Sequence, residues 1–335
     1  MVQLTALMSV YNGAKHIKET IDSVLNQSFT DFEFIVVDDG SNDGTVDILK
    51  SYKDNRMKVF FLEKNVGIPK ALNFGIDKSI GDYVVKIDAD DVQHPERFEK
   101  QLSFMLTTPK MTLSKTLCEY FPDTLEIEKS QRYKTFKKYI EPYKNSTLNE
   151  EQIAERLKWF CCISHTTMMI KLEVLKKYRY RNLPLFEDYD LFYRLNEDKL
   201  LMGSLNEFLV KIRVSLNSTT VRKKYTLDEC AFLIKEKQLN RFKNNQSIYI
   251  WGSGEFGKSV NEVLVKRGWH LRGYIDSNPE LQGKLIDGME VYSPDIIDNK
   301  KINKVIVASQ PGMFQIIDYL QQFDYQSEVD FMVYR

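Results

Sequence analysis

The sequence predicts an α/β protein, a doubly wound parallel sheet followed by a second, smaller α/β unit. Three observations carry that expectation. Four apolar strand-like runs alternate with helical patterns before residue 90. The 335-residue chain exceeds what a single core usually supports. A strand, glycine loop and helix pattern then starts afresh near residue 247. The expected division is a first domain over 1–224, a helical linker over 225–245 and a second domain over 246–335.

The first strand is Leu4 to Val10, a continuous apolar run typical of a parallel strand buried on both faces. Tyr11-Asn12-Gly13 turns the chain. Lys15 to Asn26 has helical spacing, with Ile17, Ile21, Val24 and Leu25 on one side. Phe32 to Val37 is the second strand and Val46 to Tyr52 the next helix. Met57 to Leu62 is the third strand, Lys64-Asn65-Val66-Gly67 its loop, and Pro69 to Ser79 a helix. Gly81 leads into the fourth strand, Asp82-Tyr83-Val84-Val85. In such sheets ligands bind beyond the carboxyl ends of the strands, so the polar loops at those ends converge on one crevice.

Composition narrows the classes. Apolar content of 43% is ample for sizeable cores, and a formal net charge of zero gives no steering toward nucleic acid. The four cysteines lack metal-ligand spacing and fit free thiols in a reducing cytoplasm. No apolar run approaches the roughly 18 residues of a membrane span. The expected location is therefore cytoplasmic, with any membrane contact peripheral.

The loops carry the chemistry. Asp38 and Asp39 can accept from a base N–H or a ribose hydroxyl, while Gly40 and Gly44 let the backbone turn tightly. Asn65 or Lys64 can touch a nucleotide from the next loop. Asp88, Asp90 and Asp91 crowd where the fourth strand ends, and such crowding is costly unless a cation sits among them. Oxygen-only ligands favour a hard divalent ion, Mn2+ or Mg2+. Each loop also fits an ordinary acidic turn with a helix cap.

Together these motifs resemble the nucleotide-binding half of family-two glycosyltransferases with the GT-A fold, a doubly wound mixed sheet. The resemblance rests on Val36-Val37-Asp38-Asp39-Gly40-Ser41-Asn42-Asp43-Gly44-Thr45, on Asn65-Val66-Gly67 with Ala71-Leu72-Asn73-Phe74-Gly75-Ile76, on Asp88-Ala89-Asp90-Asp91, and on Pro95-Glu96-Arg97-Phe98-Glu99-Lys100-Gln101. It implies a nucleoside-diphosphate-sugar donor, most often a uridine diphosphate sugar, with Asp39 at the base and Asp38 supporting that loop. Asp88 would reach the ribose and, with Asp90, the metal. Asp91 would orient the loop or the sugar.

Over 106–160, eight Lys and Arg side chains from Lys110 to Lys144 interleave with Tyr120, Phe121, Tyr133, Phe136, Tyr139 and Tyr143. That pattern fits a solvated helical face better than one resting on an anionic membrane with a lipid-linked acceptor. Ile163 to Ile170 reads as a strand, similar to the family's His-bearing strand, which puts His165 beside the donor. Phe186-Glu187-Asp188-Tyr189-Asp190-Leu191 opens an amphipathic helix. The family places its catalytic base at the Asp of this Glu-Asp pair, which implies that role for Asp188, with Glu187 orienting it or touching the acceptor. Val210 to Ser218 resembles the end of the catalytic domain, and Ser215 stands near where many relatives carry a metal-assisting His.

The activity implied is that of an inverting hexosyltransferase acting on a glycan or lipid-linked hydroxyl in bacterial surface polysaccharide synthesis. A nucleotidyltransferase and a non-catalytic nucleotide-sugar sensor are the other classes, although Tyr11-Asn12-Gly13-Ala14 is not the glycine-rich basic loop of the former. In the second domain, Gly252, Gly254, Gly257 and the later Asp276 fit a dinucleotide fingerprint. The module is similar to small Rossmann-like domains of polysaccharide enzymes. An assembly role, pairing subunits into a homo-oligomer, or a regulatory one is expected ahead of nucleotide binding.

Overall fold

In the computed structural model, residues 2–146, 148–215, 227–243, 247–298, 302, 304–310 and 312–335 are described. The chain divides into two compact units, residues 1–157 with 161–223, and residues 158–160 with 224–335.

The first unit is built on an eight-stranded sheet of order β3-β2-β1-β4-β7-β6-β8-β5. Strands β1 (Leu4–Val10), β2 (Phe32–Asp38), β3 (Met57–Phe61) and β4 (Tyr83–Asp88) run parallel. Helices α1 (Ile17–Leu25), α2 (Thr45–Ser51) and α3 (Ile68–Lys78) connect them. The apolar runs of β1 and β2 exist because both faces are covered. Leu4, Ala6, Met8 and Val10 pack with Ile17, Ile21 and Val24 of α1. On the other face Gly75 brings α3 close to the sheet: a Cβ there would lie 2.4 Å from Leu7 Cδ1, which would have to shift.

Beyond β4 the sheet becomes mixed. The two-residue strand β5 (Val92–Gln93) and helix α4 (Arg97–Thr107) lead to β6 (Leu113–Pro122), then β7 (Met169–Lys171) and β8 (Met202–Val214). Strand β7 lies antiparallel to β4 and β6, whereas β6 and β8 pair in parallel. Strand β6 falls where a helical face was expected. Its polar residues Ser114, Lys115 and Thr116 are buried, which masks any apolar run. They are satisfied internally: Lys115 Nζ donates to the Lys144 carbonyl, and Gln101 Nε2 donates to the Ser114 carbonyl at 3.1 Å. Short helical turns over 125–144 cover this part of the sheet. Their Ile127, Tyr133, Phe136 and Ile140 pack against Cys118, Tyr120, Val210 and Val214. Three of the six aromatic residues of this stretch, Tyr120, Tyr133 and Phe136, therefore join a core cluster, whereas Tyr139 is exposed.

Helices α5 (Glu150–Trp159), α6 (Leu172–Tyr178) and α7 (Glu187–Glu197) complete the unit. The expected strand at Ile163 begins only at Met169, and His165–Thr167 forms a single 3-10 turn. That turn lifts His165 out of the sheet and toward the strand ends.

The second unit has a six-stranded sheet of order β11-β12-β10-β9-β13-β14. Strands β9 (Ile248–Trp251), β10 (Leu271–Ile275), β12 (Met289–Tyr292), β13 (Lys304–Val307) and β14 (Phe331–Val333) are parallel, and β11 (Leu285–Ile286) forms a hairpin with β12. Helix α8 (Leu227–Phe242) occupies the expected linker. It is part of this core, because its Ala231, Phe232, Leu239 and Phe242 pack with Val260, Val263 and Leu264 of α9 (Glu255–Val265). Helix α10 (Met313–Gln322) buries Met313, Ile316, Ile317 and Leu320 in the second cluster, with Tyr249 and Trp251 of β9.

Candidate active site

The site is set by register. On one side of β1, Val10 pairs with Asp38 of β2; on the other, Ser9 pairs with Asp88 of β4. Neighbouring strands lie about 4.8 Å apart, so these two acids flank the carboxyl end of β1. The loop after β1 clamps the loop after β2, with Asn12 and Gly13 N–H donating to Ser41 Oγ (2.8 Å) and Thr45 Oγ1 (2.9 Å). Gly40 has φ +73°, and a Cβ there would strike the Lys64 backbone at 2.7 Å. The third loop therefore packs directly on the second.

Asp38 and Asp39 divide their work. Both oxygens of Asp39 accept backbone amides, from Val66 at 2.7 Å and Gly67 at 2.9 Å. Burial holds this carboxyl above its ordinary range. Asp38 accepts from the Ser41 N–H through Oδ2, while its Oδ1 is buried without a protein partner. Asn65 lies exposed at the rim.

At the end of β4, buried Lys86 donates to Asp88, whose side chain remains 38% exposed. Burial alone would raise the Asp88 pKa, but the ammonium of Lys86 takes it below its usual value. Asp90 is pushed up to about 6 by burial and by the Asp88 charge. Asp91 is driven well above the carboxylate range by burial, then by Asp90 and Asp88. Its Oδ1 accepts from the Arg213 N–H at 3.0 Å, and Arg213 Nε donates to the Asp90 carbonyl at 3.0 Å. Asp91 thus ties the acidic loop to the end of β8. Under the loop lies Arg97, wholly buried, its pKa lowered to about 9 by burial against the opposing pull of Asp91 and Asp88.

His165 and Asp188 are the remaining site residues expected from the sequence. His165 Nε2 is 2.7 Å from the Tyr180 hydroxyl. Burial and the Lys86 charge lower the histidine to about 4, so the ring is neutral at pH 7. The charges of Asp88 and Asp188 both bear on this ring and on the Tyr180 hydroxyl. Asp188 is half-buried in the first turn of α7 beside Glu187, with Oδ1 accepting the Tyr189 N–H at 2.7 Å. The helix cap is Phe186, at φ 63°, rather than Asp188.

Supporting residues escaped the sequence reading. Asn73 grips the Tyr180 backbone in both directions, at 2.8 and 3.0 Å. Asp190, fully buried, accepts from Arg181 and from Arg194 Nε at 2.9 Å, while Arg194 donates to the carbonyls of Tyr178 and Arg179. The position of Asn73 inside a motif was a signal; the pairing with Tyr180, distant in sequence, was not readable. Ser215 follows β8 and is half-buried.

The family model "Glycosyl transferase family 2" matches residues 5–179, more than half of the chain. The chain belongs to that family. Among curated relatives of this glycosyltransferase, the O-antigen biosynthesis glycosyltransferase WbnJ of Escherichia coli is 31% identical over 68% of this chain and 85% of its own. Among solved structures, Staphylococcus aureus TarS 1-349 in complex with UDP-GlcNAc superposes with a TM-score of 0.56 at 20% identity, over 71% of this chain and 67% of TarS. The mannosyltransferase PcManGT of Pyrobaculum calidifontis, in complex with GDP-Man and Mn2+, gives 0.52 at 16% identity, over 71% and 64%. These likenesses establish the GT-A fold of the first unit. In the second, the model "C2185-like, N-terminal" matches residues 244–328. No helix among the described residues is long and apolar enough to cross a membrane.

Proposed function

We propose that this glycosyltransferase inverts configuration, moving a hexose from a uridine diphosphate donor to a hydroxyl of a surface glycan or its lipid-linked precursor. The observation that supports this most is the register that sets Asp38 and Asp88 on either side of the carboxyl end of β1, with Asp38 Oδ1 buried and without a protein partner. The named relatives that synthesise O-antigen and bind UDP-GlcNAc support the substrate class.

In this reading the two roles expected from the sequence change places: the unpartnered Oδ1 of Asp38, rather than Asp39, accepts from the base, because both Asp39 oxygens are taken by the Val66 and Gly67 amides and keep the Lys64–Gly67 loop in place. Asp88, steadied by Lys86, accepts from the ribose. The donor set fits a divalent cation, Mn2+ or Mg2+. Asp90 and Asp88 would hold it, since their proximity, costly as it stands, is relieved by positive charge. No cluster of three or more His, Cys, Asp or Glu side chains suited to a metal occurs among the described residues, so diphosphate and water would fill most of the shell. When bound, such an ion supplies Lewis-acid stabilisation of the departing diphosphate.

Asp188 takes the proton from the acceptor hydroxyl as the new glycosidic bond forms, because an alcohol is too weak an acid to attack unaided. It sits in the first turn of α7, beside Glu187. Neutral His165 neither repels the cation nor competes for that proton. Asp188→Asn should bind donor within about threefold of wild type yet lose transfer by about 10^2–10^4-fold, the usual contribution of a positioned base. The measurement is UDP release and product formation with an acceptor present. Undiminished transfer would remove Asp188 from this role.

A further inference from the structure

The second unit holds a crevice of about 520 Å³ across the carboxyl ends of its central strands. It opens where the strand order reverses, between β9 and β13, the place where doubly wound sheets bind ligands. We propose that this crevice binds a nucleoside diphosphate, at a site separate from the donor crevice of the first unit.

The glycine loop separates packing from recognition. Gly252, at φ +118°, is required by the fold, since a Cβ would fall 2.4 Å from the Ala308 carbonyl oxygen. Gly257 is required as well, because its Cβ would lie 1.8 Å from the Gly252 oxygen. Gly254 is not required. Its φ is −75°, and a Cβ there meets nothing within 4 Å. A serine or aspartate would cap α9 better at this position. Of the loop's glycines it is Gly252 that lines the crevice.

The lining matches the two halves of such a ligand. Helices α9 and α10, 11 and 10 residues long, begin at Gly254 and Gly312 without side-chain caps, on adjacent strands. Gly252, Gly312 and Ser309 line the crevice between them, and none of the lining residues is Lys or Arg. Phosphate charge would therefore be met by backbone N–H groups and by the positive end of the α10 dipole, whose cap Gly312 lines the crevice. At the other end, Asp276 closes β10. Its carboxylate accepts from Ser253 N–H and Oγ and from Asn278 N–H, three of roughly four acceptor positions. The fourth suits a ribose hydroxyl, the partner an acid at this strand end takes in dinucleotide folds. The Tyr319 ring and Gln315 bound the remaining wall.

The test is equilibrium binding of UDP, GDP and ADP, each in turn, to the full-length chain. Gly312→Asp puts a carboxylate into the phosphate end at a cap position that tolerates it, the nearest neighbour of the new Cβ being Ser309 Oγ at 3.4 Å. Gln315→Glu adds the same charge from an exposed helical position, should the first variant fold poorly. Asp38→Asn addresses only the first unit. The expectation is a nucleotide site that survives Asp38→Asn and weakens at least tenfold in Gly312→Asp or Gln315→Glu, with the preferred base read from the three arms. The proposal is overturned if none of the three nucleotides binds the Asp38→Asn chain at millimolar concentration, or if the remaining site is indifferent to both second-unit variants. Loss of binding in Asp38→Asn with no response in the second unit would uphold the first-unit reading while rejecting this one.

Discussion

At the scale of single residues, burial and charge decide which acid does what. Asp38, Asp39, Asp88, Asp90 and Asp91 look alike in sequence, yet Asp39 spends both oxygens and Asp91 its Oδ1 on backbone amides, whereas Asp38 Oδ1 has no protein partner. Asp38→Asn should therefore weaken donor binding at least tenfold while leaving the unfolding midpoint close to wild type. Asp39→Asn, which leaves one loop amide facing an NH2 group, should lower the midpoint as well; paired thermal-melt and calorimetric titrations separate the two. Asp90→Ala removes a group raised to about 6 by burial and a neighbouring charge. The metal-free protein should be no less stable for it, and donor affinity in Mn2+ should fall by about tenfold or more, about 1.4 kcal/mol. Calorimetry showing undiminished Mn2+-dependent affinity would rule out this ligand role.

At the scale of elements, the start of α7 is held from outside the helix. Asp190 draws Arg181 and Arg194 together, and Arg194 fixes the carbonyls of Tyr178 and Arg179. The same segment carries Tyr180, gripped by Asn73 and bonded to His165. One charge-assisted bond is typically worth about 1.5–3 kcal/mol. Asp190→Ala should lower stability by about that amount in urea denaturation and reduce kcat more than donor affinity, because it loosens Asp188 without touching the nucleotide loops. The element most difficult to foresee was β6. Its interior includes Ser114, Lys115 and Thr116, whose polar groups are satisfied by Gln101, the Lys144 carbonyl and the Leu117 carbonyl respectively, and such partners leave no periodic trace. The helix α8 was misjudged as a linker for a related reason: its apolar stripe is diluted by charges such as Lys235, which only its carbonyl partners make tolerable inside.

At the scale of the whole molecule, Lys235 provides a pH-dependent term confined to the second unit. Its ammonium is fully buried and donates to the carbonyls of Lys158 and Val333 at 2.8 Å and of Trp159 at 3.2 Å. Burial lowers its pKa to about 7 from the usual 10.5. Between those values the unfolded chain binds more protons than the folded one, so this group makes stability rise as pH increases from about 7 toward 10. Lys235→Met should remove that part of the slope. Unfolding midpoints of both proteins measured from pH 7 to 9 check it, and parallel slopes would contradict the buried-lysine account.

The sequence by itself determined the alternation of the first four strands with their helices, the parallel half-sheet and the acidic loops at the strand ends. Those features are local, written in continuous apolar runs and in glycines that only tight turns or close packing require. Tertiary structure alone decided that β6 and β8 extend the sheet, that α8 joins the second core and that His165 sits on a turn. It also decided which of several identical carboxylates keeps a free oxygen. Each of these depends on partners far away in the chain, and a side chain's burial, charge and remaining hydrogen-bonding capacity exist only once those partners are in place.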